Sequence, residues 1–300
     1  MLLPGRPAEQ QQRLDLERRA LAIIDGLPRM VAAGRQDDTN IHPGSHGRRR
    51  QGPGAEFWQF RPAVDGDPVR MIDWRRSARS DAHYVRDREM QTTNCIMFWA
   101  DNSASMQFSG DRKRPAKADR ARLIALAASI LLSRADERVG ALGSDGPPRP
   151  GAIMAGRFIH DLFREDPGEY GLPPAGNCPR GSRAVLLSDF LGSLEEIRRS
   201  AGQLAADGVA AILIQVLDPV ETGFPFAGRT IFRSMGGRIE VDCAQAAQLR
   251  EQYEERLQER ISAVAGIAGE FGWHSILHVT DADAAPPLRW LCEVLGQGPG

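Results

Sequence analysis

The sequence predicts an α/β fold in which a mainly parallel sheet carries helices on both faces. From residue 92 onward, short apolar runs alternate with segments of helical periodicity. The runs are continuously apolar, which is typical of strands that are buried on both faces of a parallel sheet. The predicted strands are 94–100, 138–142, 183–188, 209–217 and 274–280, and the predicted helices are 117–134, 152–164, 193–206, 244–269 and 284–295.

One further element of this half is predicted to be antiparallel. Residues 229–242 read RTIFRSMGGRIEVD, with two short apolar runs on either side of Gly236 and Gly237. A glycine pair between two such runs is typical of the turn of a β-hairpin. We therefore expect a hairpin inserted between the fourth parallel strand and the long helix that follows it.

The first 91 residues follow another pattern. Residues 8–27 predict an amphipathic helix, because their apolar residues have helical spacing: Leu14, Leu21, Ile24 and Leu27. The stretch from there to residue 91 is rich in arginine and glycine with little periodicity, which predicts an irregular segment. We expect two parts: residues 1–91, a helix and an irregular segment packed on the main domain, and residues 92–300, the α/β domain. The aromatic side chains expected to make that packing are Trp58, Phe60 and Trp74.

Composition and charge narrow the possible classes of function. The formal net charge is -1, so the overall charge favours neither nucleic acid nor an anionic membrane as a partner. The three arginines 48–50 leave RNA association as an alternative, although three charges make a small footprint. The four cysteines lie far apart, which argues against a zinc site and is consistent with reduced thiols in a cytosol. The longest apolar stretch, residues 123–132, is too short to cross a bilayer. The expected location is the cytoplasm, with no membrane contact.

The candidate site follows the first predicted strand. In CIMFWADNSASMQF the apolar run stops at Asp101, and Ser103 and Ser105 follow. Ligands of open α/β sheets bind beyond the carboxyl ends of the strands, and one carboxylate with two neutral hydroxyls suits Mg²⁺. RAVLLSDFLG places Asp189 after another strand, so both acids are expected to face one metal site. The alternative is a serine-rich turn in which Asp101 only caps the following helix.

The D-x-S-x-S spacing resembles the metal-ion-dependent adhesion site of von Willebrand factor A domains. The segment before it resembles the signature of the domain-of-unknown-function 58 family, whose members join such a segment to a von Willebrand A-like domain. The residues that carry this resemblance are Gly54, Glu56, Phe57, Arg61, Gly66, Asp67, Arg70, Ile72, Asp73, Trp74, Ser77, Ala78, Arg79, Val85 and Arg86. The resemblance spans about residues 45–220. It implies a Rossmann-type von Willebrand A-like fold and a MoxR-type AAA+ ATPase as partner, since members are often encoded beside such ATPases. Many members carry N-terminal transmembrane helices, which are not predicted for this chain, so it is expected to resemble a soluble subgroup.

One ligand of the resembled site is missing. The family pattern has a threonine on a later loop, but no threonine occurs between Thr93 and Thr222. Asn177 or Ser182 is a candidate replacement. Because Mg²⁺ demands near-octahedral geometry, we expect weak binding, or binding that needs a carboxylate from a partner protein.

The predicted function is a non-enzymatic protein–protein interaction module that works with the ATPase in chaperoning or complex maturation. The alternative from another class is a metal-dependent hydrolase that uses Asp101 and Asp189, with Asp218 as a further acid. The chain has no G-x-x-x-x-G-K-[ST] motif, so it is not expected to hydrolyse ATP itself.

Overall fold

A computed structural model of the chain describes residues 7–27, 50–62, 84–90, 95–135, 137–144, 148, 153–164, 166–174, 178–237 and 240–296. The strands are β1 (Arg50–Pro62), β2 (Tyr84–Met90), β3 (Cys95–Ala100), β4 (Arg138–Ala141), β5 (Arg183–Ser188), β6 (Ala210–Leu217), β7 (Thr230–Arg233), β8 (Glu240–Cys243) and β9 (His274–Val279). The helices are α1 (Pro7–Gly26), α2 (Lys117–Arg134), α3 (Ile153–Leu162), α4 (Leu194–Ala206), α5 (Pro219–Gly223), α6 (Arg250–Glu270) and α7 (Ala285–Gly296).

Five strands form a parallel sheet in the order β4-β3-β5-β6-β9. The chain starts the sheet with β3, places β4 on one side and then adds β5, β6 and β9 on the other. The strand order therefore reverses between β4 and β5, on either side of β3, which is where ligands bind in open α/β sheets. The prediction of a mainly parallel sheet is confirmed, because the five apolar runs of the sequence are its five strands.

Both faces of this sheet are covered, as predicted. Alternate residues of each strand point to opposite faces. Val185 and Leu187 of β5 pack with residues of α2 and α7 in one apolar cluster. Leu186 of the same strand packs with residues of α4 and α6 in a second cluster. Burial on both sides is the reason that these strands read as continuous apolar runs.

Helix α1 belongs to the α/β unit. Compact units of the chain are residues 1–39 together with 95–300, and residues 40–94. Leu16, Ala20 and Ile24 of α1 are buried in the cluster that includes α2. The boundaries between these two units therefore differ from the predicted domain boundary at residue 91. The physical reason is that most of the stability of a helix in a protein comes from packing its apolar face against another element.

The unit of residues 40–94 contains an antiparallel pair, β1 and β2, where the sequence analysis predicted irregular structure. Their register shifts twice, between Gln51 and Glu56 and between Phe57 and Gln59. Each irregularity interrupts the alternation of side chains, so the strand pattern is hidden in the sequence. The structure does not describe the side chains of residues 40–94. The predicted packing of Trp58, Phe60 and Trp74 therefore lies outside the described part of the chain.

The predicted hairpin is confirmed. Strands β7 and β8 pair antiparallel, with Ile231 opposite Asp242, and Gly237 adopts φ +70° in the connecting turn. Within the described ranges, no helix is both long and apolar enough to cross a membrane.

Candidate functional site

The two predicted acids lie at the same edge of the sheet. Asp101 directly follows β3 and Asp189 directly follows β5, and these strands are parallel neighbours. The Asp101 amide donates to the Leu187 carbonyl at 2.9 Å, which continues the strand pairing up to the acid itself. Both carboxylates are buried. The prediction that they share the carboxyl edge is confirmed.

The loop after β3 is folded around the Asp101 carboxylate. One oxygen accepts from the Ser103 amide at 2.8 Å, and the other accepts from the Ser188 hydroxyl at 2.6 Å. The Ser103 and Ser105 hydroxyls lie 3.3 Å apart, and both residues are buried. Burial raises the pKa of Asp101 from its ordinary value, and the hydrogen bonds from Ser188 and Ser103 oppose that rise. A short 3-10 helix, Ala104–Gln107, follows Asp101 with Ser103 at its N-cap position, and α2 has Ala116 there, so Asp101 caps neither helix.

Asp189 is paired with a buried lysine. Its carboxylate accepts from the Lys117 ammonium at 2.9 Å and from the Leu191 amide at 3.1 Å. Lys117 also bonds Glu221 at 2.6 Å. Only 1% of the Lys117 side chain is exposed. Burial disfavours the ammonium, but the carboxylates of Asp189 and Glu221 outweigh it and raise the pKa of Lys117, so the side chain is charged.

A third strand end adds another acid. Asp218 follows β6 and caps α5 by accepting from the Val220 amide at 2.9 Å. Its second oxygen accepts from the Thr280 hydroxyl at 3.2 Å. Glu221 closes the capping box by accepting from the Asp218 amide at 2.7 Å. The ends of β3, β5 and β6 thus each carry a buried acid, and Lys117 and Glu221 connect the acids of β5 and β6.

A neighbouring loop lies against the Asp101 carboxylate. The carbonyls of Gly168 and Glu169 accept from the Ala104 and Ser105 amides at 3.0 and 2.9 Å. A Cβ atom added to Gly171 would lie 2.2 Å from Oδ1 of Asp101. The backbone at Gly171 is therefore in close contact with the carboxylate, and glycine is the residue that permits this approach.

The predicted magnesium ligands come together, but their surroundings do not fit a divalent cation. Mg²⁺ keeps several waters and binds through one or two free carboxylates. Here an ammonium already pairs with Asp189, and the backbone at Gly171 fills the space beside Asp101. Among the described residues, no group of three or more His, Cys, Asp and Glu side chains is arranged to hold a metal ion. Magnesium binding at these ligands remains a prediction that this geometry disfavours.

Neither candidate replacement for the missing threonine can be placed at this site. Ser182 lies just before β5, at the opposite end of the strand from Asp189, where its hydroxyl is 3.0 Å from the Cys178 sulfur. Asn177 lies outside the described residues.

Sequence reasoning missed Lys117, Glu221, Ser188 and Thr280. The sequence held one signal for Lys117, because it is one of only two lysines in a chain whose other basic residues are arginines. Its contact with Asp189 spans 72 positions and its contact with Glu221 spans 104.

Curated proteins similar to this chain carry no assigned function. Uncharacterized protein Mb1516 of Mycobacterium bovis and Uncharacterized protein Rv1480 of Mycobacterium tuberculosis are each 27% identical over 263 residues. Each match covers 81% of this chain and 78% of the relative.

Two solved structures are similar to part of the chain. One is an aerotolerance-related membrane protein from Bacteroides fragilis, with 15% identity and a TM-score of 0.41. The other is the conserved hypothetical protein BatB from Bacteroides thetaiotaomicron, with 12% identity and a TM-score of 0.37. Each match covers 67% of this chain and 97% of the solved chain.

The family model described as Protein of unknown function DUF58 matches residues 59–262. This range takes in β3 to β8 and all four predicted site residues. Since the match covers more than half of the sequence, the chain belongs to the DUF58 family.

Proposed function

We propose that the α/β unit is a protein-interaction module without enzymatic activity, and that a partner binds at the carboxyl edge of its sheet. The observation that carries the proposal is that the carboxylates of this edge are already engaged. Asp101 accepts from Ser103 and Ser188, and Asp189 accepts from Lys117. A hydrolase needs a carboxylate that can reach a substrate or a water. Carboxylates that are buried and paired inside the protein are suited to holding loops in place.

Exposed apolar side chains beside these buried charges support a binding role. Tyr170 and Leu172 flank Gly171 and are 42% and 39% exposed. Met235, in the turn between β7 and β8, is 47% exposed. The Glu169 carboxyl lies about 3.0 Å from where a Cβ on Gly236 would be, so this loop and the hairpin turn are neighbours. Aromatic residues and methionine are enriched at protein interfaces.

The proposed partner is a MoxR-type AAA+ ATPase, and the proposed process is chaperoning or complex maturation. Both follow from the family resemblance. A carboxylate of the partner remains the proposed contact at the edge. Arg114, which is 28% exposed and 3.5 Å from Asp218, supplies a guanidinium that such a carboxylate can bind.

We place this partnership in the cytoplasm. The free thiols of Cys95, Cys178, Cys243 and Cys292 support this location, because thiols persist in a reducing compartment.

Binding to the purified ATPase tests the proposal. Tyr170→Ala should weaken binding about tenfold or more, as expected for an aromatic residue at an interface centre. Leu14→Ser is the matched control, because Leu14 is 54% exposed but lies on α1, outside the proposed surface. Calorimetry with the ATPase and each variant gives the affinities. Equal losses for both variants, or no binding by the unaltered protein, would contradict the proposal.

The alternative functions predict other results. A hydrolase would release phosphate from phosphate esters in the presence of Mg²⁺, and Asp189→Asn would abolish that activity. RNA association would show affinity that falls steeply with salt. The structure does not describe the side chains of arginines 48–50, on which that alternative depends.

A further inference from the structure

We propose that the ammonium of Lys117 is the resident cation of the carboxyl edge and that it keeps a divalent metal ion away from the Asp189 carboxylate. The proposal concerns the chemistry of this edge and does not depend on which partner binds there. It follows from the position of the Lys117 side chain between the carboxylates of Asp189 and Glu221.

The ammonium lies where a bound cation would be needed. Its nitrogen is 2.9 Å from Asp189 and 2.6 Å from Glu221, and the side chain is almost completely buried. Buried carboxylates need an opposite charge or hydrogen-bond donors. A lysine fixed at the start of α2 supplies that charge permanently, without dependence on ion concentration.

The same ammonium opposes metal binding. A divalent ion held by Asp189 would sit close to a positive charge in a buried site, where screening by water is weak. The ion would also compete for the Asp189 carboxylate, each oxygen of which already accepts a hydrogen bond. Once the ammonium is removed, the Asp189 carboxylate loses its opposite charge and becomes free to act as a ligand.

Replacing the lysine tests the proposal directly. Lys117→Met keeps most of the side-chain volume but removes the charge. We expect this variant to bind Mg²⁺ at least about tenfold more tightly than the unaltered protein in calorimetry. Its melting temperature should rise by at least about 2 °C in millimolar Mg²⁺ and fall again when a chelator is added.

Lys113→Met is the matched control, because Lys113 is the other lysine of the chain and is exposed. It should behave as the unaltered protein does, with a melting temperature that neither Mg²⁺ nor the chelator changes. If Lys117→Met is too unstable to study, the double variant Lys117→Met/Glu221→Gln removes the repulsion left between the two unpaired carboxylates. The double variant should show the same gain in Mg²⁺ affinity.

Two results would overturn the proposal. The first is chelator-sensitive stability or tight Mg²⁺ binding in the unaltered protein, which would show that the ammonium does not block the site. The second is a folded Lys117 variant, single or double, that gains no affinity for Mg²⁺, which would show that the oxygens are not a latent metal site.

Discussion

At the scale of single residues, the carboxyl edge depends on close contacts that leave little room for substitution. Asp101 is fixed by donors from two elements, the loop after β3 and the end of β5. Gly171 then covers the carboxylate with backbone atoms. Because the acid is held on both sides, it has little freedom to move away from an added side chain.

Gly171→Ala should therefore destabilise the protein. The added methyl group would lie 2.2 Å from Oδ1 and 2.4 Å from Cγ of Asp101, so the loop or the acid must shift. Overpacking of this kind costs about 1–3 kcal/mol, which urea unfolding can measure.

The control is Gly266→Ala in α6, where nothing lies within 4 Å of the added methyl group. There the higher helix propensity of alanine should leave stability unchanged or raise it by up to about 1 kcal/mol. Equal effects of the two substitutions would mean that the contact at Asp101 is not tight.

At the scale of elements, α1 packs against a part of the chain that is distant from it in sequence. Its apolar residues are spaced to form a stripe, and Ala20 is completely buried against the unit that begins at residue 95. The helix is therefore part of the α/β core, although residues 40–94 separate the two in sequence.

Ile24→Ala tests this assignment. Ile24 is 6% exposed in the main apolar cluster, and truncation of a buried isoleucine to alanine costs about 2–5 kcal/mol. Leu14→Ala on the same helix is the control, since Leu14 is 54% exposed and should change stability by less than about 0.5 kcal/mol. Thermal or urea unfolding compares the two. Similar small losses for both variants would place α1 outside the core.

At the scale of the whole molecule, a net charge near zero hides an uneven distribution of charge. Paired carboxylates are buried at one edge of the sheet. The same sheet buries His278 in β9, and Nε2 of this side chain has no hydrogen-bond partner among the described residues. The pKa of His278 falls to about 4, first because of burial and then because of Arg120, while Asp281 and Asp283 oppose the change. Neutral His278 is thus the form that the folded protein favours.

The stability of the folded protein should consequently fall in acid. Because the folded pKa lies below the ordinary value, the contribution of His278 is complete above about pH 6.5 and is lost as the pH falls towards 4. At pH 5 the loss should be on the order of 2 kcal/mol, and His278→Gln should remove this part of the pH dependence.

Urea unfolding between pH 7 and 5 measures this effect. His274→Gln is the control, because His274 lies in the same strand but is exposed, and it should keep the original slope. If His278→Gln keeps that slope as well, His278 is not the group responsible.

The sequence alone determined the α/β core and the place of its site. Strand and helix periods are local properties, so the apolar runs predicted the strands of the sheet closely, and 117–134 is the α2 helix that forms. Parallel strands have their carboxyl ends at one edge, so Asp101 and Asp189 could be assigned to that edge before any contact was known. The β1–β2 pair was not predicted, because the irregularities at residues 51–59 break the alternation that identifies a strand.

Only the tertiary structure decided what surrounds the two acids. The Lys117 ammonium, the Ser188 hydroxyl and the backbone at Gly171 reach them from separate elements. These contacts join residues 70 or more positions apart. Neither a local hydrophobic period nor a short motif predicts which distant residues will be in contact. The motif shows which oxygens are available, whereas the charge and the space around them are properties of the packed fold.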